Sequence, residues 1–125
     1  MRIVSVSEDK KIEKRIAVTP DVAKKYVKLG FELSLPENYG SHLGFDDSSF
    51  KDAGARIVKD EKELINNSDL IIQLGLLPEN KLSLMKQAQS IVGVLDPYNN
   101  KEKIKDLIKK KINLFSLELL PRITR

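Results

Sequence analysis

The sequence predicts a doubly wound α/β domain: a mainly parallel sheet flanked by helices on both faces, flavodoxin-like or Rossmann-like in kind. Three observations carry this. Short apolar runs alternate with helical patterns along the whole chain, and such alternation favours right-handed crossovers between parallel strands. Two of the runs, "LIIQL" and "IVGVL", are almost continuously apolar, as strands covered on both faces should be. No linker, repeat or low-complexity segment divides the 125 residues, and 41% of them are hydrophobic, which is enough for one core. Residues 1–125 therefore read as a single domain.

Six strands are expected, at residues 2–6 ("RIVSV"), 31–35 ("FELSL"), 55–58 ("ARIV"), 69–74 ("DLIIQL"), 90–95 ("SIVGVL") and 112–117 ("INLFSL"). Helices fill the gaps. Thr19 as N-cap, Pro20 at the first helical position and Gly30 as terminator bracket one, with Val22, Tyr26, Val27 and Leu29 on one face. A second starts at Asp46 or Asp47, both better explained as capping residues than as metal ligands, and stops at Gly54. Shorter segments are expected at about residues 60–66, 79–88 and 100–110, the last with Ile104, Leu107 and Ile108 spaced to face a core.

Composition excludes several classes of function. A net charge of +4 is too weak to imply nucleic acid, and the four Phe and three Tyr are not interleaved with Lys and Arg as a stacking platform needs. With no Cys there can be no disulfide, thiolate metal site or cysteine nucleophile. No secretory leader opens the chain and no apolar run approaches the ~20 residues that span a bilayer, so a cytoplasmic protein is expected. His42, the one histidine, stands in the turn-like "NYGSHLG" and reads as a loop residue. No metal site is expected. Lysines 101, 103, 105, 109, 110 and 111 alternate with apolar positions and read as a solvated helix face. "NNS" at Asn66 reads as a chance match to a glycosylation acceptor.

Doubly wound sheets often hold nucleotides, yet no three of the six glycines fit G-x-G-x-x-G, and no G-x-x-x-x-G-K occurs. The architecture comes without the glycine fingerprint that lets backbone N–H groups close on a pyrophosphate. Two places remain that could carry chemistry. Arg15 follows the first strand after the polar stretch "SEDKKIEK", near the carboxyl end where such sheets bind ligands. Arg122 and Arg125 stand in "LELLPRITR", where an apolar run passes into a proline and two cations.

These residues carry a resemblance. "RIAVTPDVAKKYVKLGFEL", "FDDSSFKDAGARIV" and "ELLPRITR", in this order, resemble the opening, the D-x-x-F-x-x-A-G-A-x-I pattern and the P-R-I-S-R segment of the alanine dehydrogenase and pyridine nucleotide transhydrogenase family. The resemblance covers the whole chain. In the alanine dehydrogenase branch it implies a carboxylate-gripping role for Arg15, but that branch also places a lysine after the fourth strand and a histidine after the fifth. Here those places hold "QLGLLP" around Gly75 and "VLDPYN" around Asp96. A keto-acid site needs a cation for the carboxylate and an acid for the carbonyl oxygen, so amino-acid chemistry is disfavoured.

The transhydrogenase branch has no carbonyl substrate to polarise, since hydride passes between two nicotinamide rings and the protein chiefly orients them. There the resemblance implies that Arg122 lies beside the nicotinamide of NAD(H), with Arg15 a weaker cofactor contact in the cleft and no residue in a catalytic role. It further implies that this chain is the first half of the two-domain NAD(H)-binding component of a proton-translocating NAD(P) transhydrogenase alpha subunit. The expected partners are a second domain carrying the fingerprint, a second copy in a homodimer, an NADP(H)-binding component and a membrane proton channel. The chain alone is expected to be inactive and to bind no cofactor. Two other readings stay open: an alanine-dehydrogenase-like oxidoreductase, and a non-catalytic interaction module of the same fold.

Overall fold

A computed structural model describes residues 1–7, 15–77, 79–96 and 98–116; Arg122 and the "PRITR" segment lie outside them. The elements are β1 (Arg2–Val4), α1 (Pro20–Lys28), β2 (Glu32–Pro36), a 3-10 turn (Ser41–Leu43), α2 (Asp47–Asp52), β3 (Arg56–Val58), α3 (Glu61–Asn66), β4 (Leu70–Ile72), α4 (Glu79–Leu82), β5 (Ser90–Gly93), α5 (Lys101–Lys109) and β6 (Asn113–Ser116). The six strands form one sheet of order β3-β2-β1-β4-β5-β6, parallel at every pairing. This is the Rossmann order, and it agrees with the doubly wound expectation.

Two apolar clusters lie on opposite faces of this sheet. On one face Ile3, Leu33 and Leu35 pack with Val18, Ala23, Tyr39 and Phe50 under α1 and α2. On the other, Val4, Ile71 and Ile91 pack with Leu64, Leu82 and Leu107 under α3, α4 and α5. Alternation along β1 explains the split, because adjacent strand residues point to opposite faces. Phe50 is fully buried, with Tyr39 and Phe45 standing edge-on to it at ring-centroid distances of 5.7 and 6.4 Å. A fully buried ring such as that of Phe50 contributes about 1.5–3 kcal/mol by leaving water.

Local signals set the helix ends. Thr19 Oγ1 accepts the Val22 N–H, Asp46 accepts the Ser49 N–H, and Asp60 accepts the Lys62 N–H. The Ser49 and Ser48 hydroxyls also donate to Asp46, and these bonds, that of Ser49 foremost, hold its carboxyl below the ordinary aspartate value. Gly54 ends α2 with φ +100°, and a Cβ there would stand 2.8 Å from Val27 Cγ1, so α1 and α2 can approach only over a glycine.

Three sequence expectations need correction. Leu29, expected on one face with Val22, Tyr26 and Val27, caps the carboxyl end of α1 and is 71% exposed, while the other three pack against the core. The helix expected over residues 79–88 stops at Leu82, where the Leu84 and Met85 N–H groups bond to carbonyls three residues back, Lys81 and Leu82; further on, Ala88 takes φ +73° and Gln89 Oε1 accepts the Lys86 N–H at 2.6 Å, which turns the chain back toward β5. Ile108 does not face the core: it is 61% exposed while Leu107 is 2% exposed. The helix α5 lies beside the edge strand β6, and its buried stripe is correspondingly narrow.

Candidate functional site at the sheet switch point

Strand order reverses between β1 and β4, and the crevice beyond the carboxyl ends of such a pair is where doubly wound sheets take ligands. The ladder registers Val4 with Ile71; beyond it, side chains make the join. Val6 N–H donates to Gln73 Oε1 at 2.6 Å, and Gln73 Nε2 donates back to the Val6 carbonyl at 3.1 Å. The Ser5 hydroxyl lies 2.7 Å from the Ile72 carbonyl and 3.2 Å from Gln73 Oε1. Gly93, at the end of β5, completes the packing: a Cβ there would collide with the Gln73 carbonyl.

Tyr39, just past β2, brings in a third strand end. Its hydroxyl is 2.7 Å from Ser5 Oγ, and it accepts the Ala17 N–H at 3.1 Å and the Val18 N–H at 3.2 Å. The single Ser5 hydroxyl hydrogen is directed at Ile72 or Gln73, so the phenol is the donor between the two hydroxyls. Ser5 and Tyr39 are at most 1% exposed, and in so apolar a setting each of these bonds matters more than it would in water.

Arg15 is exposed and stands two residues before Ala17, so this junction tethers its backbone close to the carboxyl end of β1. Lys81 on α4 reaches the same end of the sheet, donating to the Ser7 carbonyl at 3.4 Å and pairing with Glu61 at 2.8 Å. Gly75 follows β4, and Asp96, exposed with φ +48°, follows β5; Asp96 accepts the Asn99 side chain at 2.9 Å. His42 is exposed in the 3-10 turn. Five of the six lysines in the run ending at Lys111 are exposed, and Lys103 is half-buried.

Elsewhere, a groove of about 490 Å³ opens over β1, β2 and β3 on the α3 side, lined by Arg2, Glu32, Ser34, Arg56 and Asn67. Arg2 and Glu32 pair across it at 3.0 Å, and it lies away from the switch point. Among the described residues no group of three or more His, Cys, Asp or Glu could hold a metal ion, and no helix is long and apolar enough to cross a membrane.

Residues 5–19, between β1 and α1, contain no glycine, and the Val6 N–H and carbonyl are taken up by Gln73 rather than offered to a phosphate. Among the described residues of this connection, no glycine turn of the Rossmann type presents backbone N–H groups to a pyrophosphate. Arg15, exposed and held near this edge through the Ala17 and Val18 bonds, carries planar donors of the kind that suit a carboxamide or phosphate oxygen. Neither Tyr39, Ser5 nor Gln73 stands out in the sequence as a site residue. The usable signal is a lone polar residue in each of two apolar runs, Ser5 in "RIVSV" and Gln73 in "LIIQL".

The family model described as "Alanine dehydrogenase/PNT, N-terminal domain" matches residues 5–125. The chain belongs to this family. Among the family's curated members, the first portion of the NAD(P) transhydrogenase subunit alpha of Rickettsia prowazekii is 34% identical over 100% of this chain and 34% of its own length. NAD(P) transhydrogenase subunit alpha of Haemophilus influenzae is 32% identical over 90% of this chain and 22% of its own length. An alanine dehydrogenase of Halomonas elongata is 28% identical over 76% of this chain and 26% of its own length. Among solved structures, a transhydrogenase from Sinorhizobium meliloti superimposes with a TM-score of 0.89 at 27% identity, covering 98% of this chain and 37% of that one. An L-alanine dehydrogenase shares the fold with a TM-score of 0.86 at 21% identity, covering 93% of this chain and 32% of that one. The chain thus spans about a third or less of the length of the curated transhydrogenase relatives it matches.

Proposed function

We propose that this chain is the opening portion of the NAD(H)-binding component of a proton-translocating NAD(P) transhydrogenase alpha subunit, acting in hydride transfer between NAD(H) and NADP(H). In this reading the carboxyl-end edge of the sheet closes one side of a cleft whose other side is a second domain carrying the glycine fingerprint. Arg122 lies beside the nicotinamide, Arg15 supplies a further cation to the cleft, and the assembly is dimeric and works on the cytoplasmic side of a membrane proton channel. NAD(H) supplies the hydride chemistry; the residues of this chain orient and hold it.

The observation that carries this reading is the residue pair at the ends of β4 and β5. Gly75 and Asp96 stand there, where the family resemblance implies a lysine and a histidine in the alanine dehydrogenase branch, the cation and proton donor that keto-acid chemistry uses. Identity along the full chain to the first portion of a transhydrogenase alpha subunit supports the same branch. Arg15 alone favours the second reading, an alanine-dehydrogenase-like oxidoreductase. The test is a side-by-side assay of the full-length protein with its NADP(H)-binding component: hydride transfer from NADH to an NADP⁺ analogue is expected, and NAD⁺-dependent oxidation of alanine is not. Alanine oxidation without transhydrogenation would overturn the proposal.

A further inference from the structure

Tyr39 occupies a place that packing alone does not explain. A phenylalanine would fill the same apolar volume against Phe50, yet the hydroxyl is buried, and three groups from two separate segments converge on it. Two of these are the consecutive backbone N–H groups of Ala17 and Val18. The third is Ser5 Oγ at the end of β1, which is itself linked to Ile72 and Gln73 at the end of β4. Residues 15–18 belong to no helix or strand, so these bonds take the place that a ladder fills elsewhere. Remove the phenol oxygen and two neighbouring amides lose an acceptor at the segment that presents Arg15.

We propose that Tyr39 is a positioning residue for the cofactor cleft: its hydroxyl locks residues 15–18 onto the carboxyl ends of β1 and β4 and thereby sets where the Arg15 guanidinium stands. The inference rests on the reading above, in which this edge faces NAD(H). Tyr39 itself touches no cofactor, and its effect passes through Arg15.

The test uses the full-length protein and titrates NADH into the parent, Tyr39→Phe, Arg15→Ala and the double variant, with hydrogen exchange followed at the Ala17 and Val18 amides. Tyr39→Phe is expected to speed exchange at both amides and to raise the NADH Kd by about three- to tenfold, the size of one or two lost hydrogen bonds. In the Arg15→Ala background the same change is expected to add nothing, because coupled residues are not additive. A folded Tyr39→Phe protein with the parental Kd, or a loss of equal size with and without Arg15, overturns the inference. Parental affinity in Arg15→Ala sinks the Arg15 reading itself and the route assigned to Tyr39 with it; weakened Arg15→Ala beside unchanged Tyr39→Phe sinks the inference alone. Should Tyr39→Phe not fold, Ser5→Ala removes the group that the phenol donates to, together with its bonds to Ile72 and Gln73, while leaving the phenol oxygen in place for the Ala17 and Val18 amides. It is expected to act in the same direction, and parental affinity in that folded variant counts against the proposal.

Discussion

The side-chain amide of Gln73 clasps the backbone of Val6 through two hydrogen bonds, one in each direction, at 2.6 and 3.1 Å. It imitates the pairing of a further strand residue at the point where β1 and β4 separate. Both residues are at most 2% exposed, so water cannot replace either bond.

Replacing Gln73 with Leu should therefore destabilise the domain strongly. The Val6 N–H and carbonyl would both be buried without partners, at about 1–3 kcal/mol for each. Urea denaturation is the measurement. A midpoint equal to that of the parent would mean that the clasp contributes nothing.

Gly93→Ala should be costly for a different reason. The added methyl meets the Gln73 backbone carbonyl, which cannot swing aside as a side chain can. Overpacking of this kind costs about 1–3 kcal/mol, and thermal unfolding of the variant should show a lower Tm, whereas Gly75→Ala, with open space around the new methyl, should not suffer from crowding.

The cap on α2 gives a pH dependence whose sign follows from Asp46. Its folded-state pKa is lowered, so its contribution to stability is fully present above the ordinary aspartate pKa and is lost as pH falls through the lowered folded value. Asp46→Asn, which can still cap but carries no charge, should be less stable than the parent near neutral pH. The gap should close in acid, below about pH 4. A gap that is constant with pH would contradict this.

Arg122→Ala in the full-length protein should slow hydride transfer and weaken NADH binding while leaving the fold intact. A positioned charge-assisted hydrogen bond is worth about 1.5–3 kcal/mol. Parental rates and parental NADH affinity in this variant would refute the role that the family resemblance implies for Arg122.

The chain of 125 residues alone should bind NADH only weakly, with a Kd of about 1 mM or above. Its first βα connection has no glycine, and one or two arginine contacts compete with an association cost of at least roughly 4 kcal/mol. Calorimetric titration decides. Saturable micromolar binding at one site would mean that a complete nucleotide site lies within residues 1–125.

The placement of strands and helices was legible in the sequence because it depends on neighbours. Thr19 and Pro20 begin α1, Asp46 begins α2, and the apolar runs lie over all six strands, each displaced by only a few residues. Family membership was legible for the same reason: "RIAVTP" and "FKDAGARI" are local strings. The exceptions were decided by tertiary contact. The chain beyond α4 is held back by Gln89, whose side chain donates to the Ile65 and Ser68 carbonyls, and Ile108 is left in water beside an edge strand.

What the sequence alone could not supply was the order of the strands and the junction at the switch point. The crossing from β3 to β4 leaves no trace in local periodicity, since each apolar run would look the same on either side of β1. The clasp joins residues 67 apart in the chain, and Tyr39 meets Ala17 and Val18 across 22 and 21 residues. Gln73 and Ser5 look like defects in apolar strands when read along the chain. Only folding brings their hydrogen-bonding groups to the backbone atoms that need partners, because a buried polar group keeps a place in the core only when its bonds are made.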